Sequence, residues 1–148
     1  MSDSIGFLIS DVSRLMRRRF DERARAIGVT RPQWRALTAL SRHEGINQGQ
    51  LADLLEVEPI TLCRMVDRLE DAGHVERRRD PGDRRAWKIF LTDRSRPLLE
   101  QLGRIADDLF GTALAGVAAE DRKRLTETLD RIRSNLAKPE IGEDSAHG

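Results

Sequence analysis

The hydrophobic period changes twice along this chain, and each change marks a change of backbone. From Ile5 to Leu69 apolar residues recur at spacings of three and four, the repeat of helices with one face turned inward. From Val75 to Leu91 they alternate around the turn sequence Asp80-Pro81-Gly82-Asp83, which fits two short antiparallel strands. Beyond Thr92 the helical spacing returns. Such a chain is mainly α with a small β-hairpin, and its 148 residues fit a single domain.

Punctuation residues place the helices. Ile5, Leu8, Val12, Leu15 and Met16 predict an amphipathic helix over residues 5–27, ending at Gly28. Thr30-Arg31-Pro32-Gln33 reads as a capping box opening a second helix, with Trp34, Leu37 and Leu40 inward to about His43. Asn47-Gln48-Gly49-Gln50 offers another box ahead of a short helix with Leu51, Leu54 and Leu55 on one side. Pro59 stands in the first turn of the next helix, where its missing amide costs nothing, and Gly73 closes that helix as a left-handed C′ residue. Thr92 is the expected N-cap of a long helix to about Gly116, with Leu98, Leu102, Ile105, Leu109 and Leu114 as its seam. A last helix runs from about Glu120 to Lys138, carrying Leu125, Leu129, Ile132 and Leu136, and the tail beyond it is expected to fray.

The hairpin holds the least ordinary chemistry. Overall, 26 basic residues nearly cancel 25 acidic ones, so net charge argues for no polyanionic partner, and local clustering has to. Arg77, Arg78, Arg79, Arg84 and Arg85 crowd around one turn with two aspartates among them. Two short helices joined at "EVEP" and followed at once by such a hairpin describe a winged helix-turn-helix, whose second helix enters the major groove. On the wheel of residues 59–72, Leu62, Met65, Val66 and Leu69 cluster on one side. Ile60, Thr61, Arg64, Asp67 and Arg68 take the other, with Cys63 at the flank. Arg64 is the first candidate for a base contact, gripping guanine through two hydrogen bonds. Thr61 suits a phosphate or thymine methyl, and Arg68 the backbone. A wing tip in a narrow, negative minor groove needs an arginine. Asp83, two residues before Arg85, is close enough to fix one, Arg84 sits at the tip, and Arg77, Arg78 and Arg79 are placed to line phosphates. The alternative is a salt-bridged surface hairpin with no ligand.

With these residues in view, "GQLADLLEVEPITLCRMVDRLEDAGHVERRRDPGDRRAWKIFLT" resembles the DNA-binding core of the MarR family of bacterial transcriptional regulators. The "DPGDRR" wing, the "RMVDRLEDAG" helix end and the "LT" leading into a long helix carry the resemblance, which extends to about Lys138. It implies a homodimer on a roughly palindromic operator, with Arg85 in the minor groove and Asp83 bracing it. It also implies a small-molecule effector bound between dimerisation helices and DNA domain. Arg17, Arg18, Phe20, Arg31 and Trp34 are candidates to line that pocket and attract an anionic effector, aromatic ones included, although a tryptophan at such a position is more often plain core. Glu58, beside the recognition helix, departs from what phosphates favour.

Dimerisation has separate support, because long amphipathic helices at both chain ends leave stripes one copy cannot readily bury. An intrachain three-helix bundle is the alternative. The expected division is a dimerisation helix over 1–28, a winged helix-turn-helix domain over 29–92, dimerisation helices over 93–138 and a flexible tail over 139–148. Cys63, the only cysteine, excludes an intrachain disulfide and is open to a redox role. His43, His74 and His147 lack partners at ligand spacing, so neither a metal nor another cofactor is expected. No phosphate loop, matched nucleophile and base, or paired carboxylates point to an enzyme. The N-terminus lacks the features of a secretory signal or span, and a cytoplasmic protein without membrane contact is expected. The rival class is a helical interaction module whose basic hairpin grips an acidic partner.

Overall fold

The computed structural model describes residues 4–139, so the expected tail beyond Lys138, with His147, lies almost wholly outside the described residues. The elements are α1 (Ile5–Ala26), α2 (Arg31–Arg42), α3 (Gln48–Leu55), α4 (Pro59–Asp71), β1 (Val75–Asp80), β2 (Asp83–Leu91), α5 (Arg96–Ala113) and α6 (Ala119–Ala137), with a short 3-10 turn over Asp93–Ser95. The architecture is mainly α with one antiparallel hairpin.

Both capping boxes form. Thr30 Oγ1 accepts from the Gln33 amide while Gln33 Oε1 accepts from the Thr30 amide, and Asn47 and Gln50 reciprocate in the same way. Gly28 and Gly73, each at φ +81°, turn the chain out of α1 and α4 in the left-handed region. Leu37, Leu40, Leu51, Leu62, Val66, Leu69 and Ile89 are fully buried in one core, so α2, α3, α4 and the hairpin share it. That core joins α4 to the base of the hairpin, where Val75 and Ile89 are buried.

Three details differ from the sequence-based expectation. Leu54 is exposed while Leu51 and Leu55 are buried. Thr92 makes no side-chain cap; its hydroxyl donates to the Gly73 carbonyl, the 3-10 turn intervenes, and α5 begins at Arg96 with Pro97 in its first turn. Leu114 falls after α5 ends at Ala113.

The hairpin is also more than a two-stranded ribbon. The Gly45 amide donates to the Ile89 carbonyl and the Ile89 amide to the Ile46 carbonyl, each at 3.0 Å, so the α2–α3 connection forms a third, strand-like edge on β2.

The chain divides into two compact units at Leu109/Phe110. In the first, α1 leaves Ile5, Leu8, Val12 and Leu15 exposed. In the second, α6 buries no residue, and Leu125, Leu129 and Leu136 are exposed.

Candidate nucleic-acid interface

Helix α4 presents two chemically distinct faces. Leu62, Val66 and Leu69 are buried and Met65 is half-buried, while Ile60, Thr61, Arg64, Asp67 and Arg68 are exposed. The helix is thereby clamped through one stripe and free along the other. The turn before it is tightened by Glu56 in the left-handed region at φ 55°, a conformation unusual for a residue with a side chain. Glu58 occupies the N-cap position with no side-chain cap bond.

The wing tip is built by its two aspartates. Asp80 Oδ1 accepts from the Gly82 amide and Asp83 Oδ1 from the Arg85 amide, both at 2.9 Å, so each carboxylate organises a local turn. Strand pairing runs regularly from Val75↔Leu91 to Arg79↔Trp87 and then jumps to Asp80↔Asp83. Arg84, Arg85 and Ala86 therefore have no pairing partner on β1 and form a bulge, which turns side chains away from the ladder. Arg84 and Arg85 are both exposed.

A family model described as the MarR family matches residues 27–86, the span from the end of α1 to this bulge. A solved MarR transcriptional regulator from Methanosarcina mazei Go1 is 30% identical, with a TM-score of 0.77 over 88% of this chain and 94% of that one. Another solved transcriptional regulator is 33% identical, with a TM-score of 0.77 over 90% of this chain and 98% of that one. The chain belongs to the MarR family. The wild-type apo MarR from E. coli shares the fold at 26% identity and a TM-score of 0.77, covering 89% of this chain and 98% of that chain.

Within this MarR-family wing the arginines are not equivalent. Arg78 pairs with Glu76 and lies 4.1 Å over the Phe90 ring. Arg79 lies 4.5 Å over the Trp87 ring and donates to the Arg84 carbonyl at 2.6 Å. These contacts lay both guanidinium groups along the strand surface. Arg77 corrects the expectation that it lines phosphates. Its side chain is only 12% exposed and its guanidinium is directed at Asp67, Glu70, Gln48 and the Cys63 carbonyl. Burial alone would lower its pKa, but the neighbouring carboxylates outweigh burial and raise it. The expected bracing of Arg85 is likewise refined: Asp83 holds the residue through its amide.

The expected effector residues are partly gathered. Phe20 and Trp34 meet at a ring separation of 4.6 Å, tilted by 57°. Asp21, which the sequence reading passed over, accepts from the Trp34 indole N–H at 2.6 Å and from the Arg31 Nε at 2.6 Å. Burial pushes the Asp21 carboxyl up, yet these two hydrogen bonds and the charges of Arg31 and Arg25 hold it below the usual carboxylate range. Arg18 and Arg31 line a cavity of about 350 Å³ with Asp21, Glu22 and Arg25. Arg17 lies outside that cavity and donates to its own helix at Ser13. No local signal marks Asp21, because its partners follow 10 and 13 residues later on another helix.

Cys63 is half-buried and free, with its Sγ 3.8 Å from an Arg77 nitrogen. Among the described residues no group of three or more His, Cys, Asp or Glu side chains is placed to hold a metal, and no helix is long and apolar enough to cross a membrane.

Proposed function

We propose that this chain is a sequence-specific DNA-binding regulator acting as a homodimeric repressor on a near-palindromic operator, and that a small anionic ligand, aromatic ones included, relieves repression. The observation that carries this reading is the pairing of a helix clamped on one face and polar on the other with a wing whose bulge exposes Arg84 and Arg85. Ile60, Thr61, Cys63, Arg64 and Arg68 form the major-groove surface, with Arg64 as base reader and Arg68 on the backbone. Arg85 enters the minor groove, Arg84 flanks it, and Arg78 and Arg79 face phosphates.

The exposed stripes of α1 and α6 support two-fold pairing, which would present two recognition helices about one DNA turn apart. Residues 1–28 and 93–138 then supply the dimer contacts and 29–92 the DNA-binding domain. The Arg18–Arg31 cavity and the neighbouring Phe20–Trp34 pair suit an anionic effector, which would act by favouring a dimer spacing unable to fit successive major grooves.

The test is a footprint of purified protein on its own upstream DNA at physiological salt with excess random competitor. A protected near-palindrome of about two helical turns is expected. Binding abolished by competitor at every site tried, selected duplexes included, would overturn the reading in favour of another acidic partner.

A further inference from the structure

Most side chains of the wing's first strand have partners within the hairpin itself. Arg78 meets Glu76 and Phe90, and Arg79 meets Trp87 and the Arg84 carbonyl. Arg77 is different. Its NH2 group lies 2.7 Å from Asp67 Oδ1 and donates to the Cys63 carbonyl at 3.1 Å, while NH1 donates to Glu70 Oε1 at 3.0 Å. Its Nε donates to Gln48 Oε1 at 3.1 Å, and its own amide to Glu70 Oε2 at 3.1 Å. One side chain therefore spans Cys63 to Glu70 along α4, reaches the first residue of α3, and belongs to β1.

This anchor stands on β1 two residues before Arg79, where regular pairing ends ahead of the bulge that carries Arg84 and Arg85. A planar, delocalised guanidinium holding partners in several directions resists rotation as a point charge on a flexible stem cannot. Helix α4 does not need it to stay in place, because Leu62, Val66 and Leu69 are already sunk in the core.

We propose that Arg77 is a positioning residue for DNA recognition: it locks the wing to the recognition helix so that Arg85 reaches its groove while Arg64 reads the adjacent one. This rests on the DNA-binding reading above. Its signature is selective coupling. Once the anchor is cut, the wing no longer delivers Arg85, so removing Arg85 has little left to remove. Arg64 rides on a helix held independently, and its contribution persists.

The experiment measures affinity by fluorescence anisotropy on a duplex selected from a random pool, using full-length protein. The variants are Arg77→Met, Arg85→Ala and Arg64→Ala, with both doubles that contain Arg77→Met. Arg85→Ala is expected to weaken the wild type by about tenfold or more, yet to change Arg77→Met by less than about twofold. Arg64→Ala is expected to cost the same factor in both backgrounds. An Arg85→Ala cost that stays the same in both backgrounds would overturn the proposal, since a direct phosphate contact by Arg77 would add independently. Should Arg77→Met fail to fold, the pair Asp67→Asn and Glu70→Gln loosens the same anchor from its exposed side and must give the same pattern. Wild-type protein that selects no duplex would instead sink the DNA-binding reading itself.

Discussion

Asp83 holds Arg85 by the main chain: its Oδ1 accepts from the Arg85 amide at 2.9 Å, closing a turn that starts the bulge. A brace of this kind needs a carbonyl-like acceptor and no charge, since an amide side chain closes the same turn. Asp83→Asn should therefore bind DNA as tightly as wild type, or more tightly once a negative charge leaves the wing tip. Asp83→Ala should lose about 0.5–1.5 kcal/mol, roughly 2- to 12-fold in affinity. Anisotropy titrations of the two variants separate this from an ion pair to the guanidinium, which would penalise Asn as heavily as Ala.

Arg64 and Arg68 lie one turn apart on the exposed face of α4 but are assigned different work. Arg64→Ala should cost about 1–3 kcal/mol and relax preference at one base pair of each half-site, whereas Arg68→Ala should weaken all sequences alike and lower the slope of log affinity against log salt by about one. Titrations on the selected duplex and its single-base variants, repeated at several salt concentrations, check both. Equal losses on every duplex for Arg64→Ala would remove its assignment as the reader.

What the sequence made plain is what it writes locally. Both capping boxes, the Gly73 stop and the buried stripe of α4 follow from residues three or four apart, and each forms as expected. Arg77 was misread because its partners Gln48, Cys63 and Glu70 lie 29, 14 and 7 residues away, and a charged side chain carries no mark of whether it will face solvent or a folded neighbour. Leu54 was misplaced for another reason: α3 has eight residues, too few turns for spacing alone to settle which leucine faces inward. The Ile89 edge to Gly45 and Ile46 was invisible, since main-chain pairing leaves no imprint on side-chain type.

Ile89 and Leu54 give a direct check on that core. Ile89 is fully buried where β2 meets the α2–α3 connection, and Leu54 is 47% exposed. Ile89→Ala should destabilise by about 2–5 kcal/mol through lost burial and a residual cavity. Leu54→Ala should stay within about 0.5 kcal/mol. Urea unfolding followed by circular dichroism reads both, and comparable losses would mean that Leu54 is covered in solution.

Asp21 ties α1 to α2 through Arg31 and Trp34, and its carboxyl is held below the usual range by those bonds. A depressed folded-state pKa means the unfolded chain takes up the proton first as pH falls. The stabilisation is thus fully present above the ordinary carboxylate value of about 3.9 and is lost as pH drops through the lower folded-state value. Asp21→Asn should be less stable than wild type at neutral pH, by on the order of 1 kcal/mol, and the two curves should converge under acid. A difference that is constant with pH would show that the carboxylate charge contributes nothing.

The exposed α1 stripe gives a test of the proposed homodimer. Leu8 and Val12 are about half exposed and one helical turn apart, in line with exposed Ile5 and Leu15. A water-facing helix has no use for four such side chains in register, while a second copy would bury them. Leu8→Glu combined with Val12→Glu puts two charges into the proposed contact and replaces none of the buried core residues. The double variant should sediment as a monomer with unchanged helical content. Its affinity for the full palindrome should fall by about 10²-fold or more, as the second half-site loses its tethered partner, while affinity for an isolated half-site stays the same. A double variant that still sediments as a dimer would place the two-fold contact elsewhere on the chain.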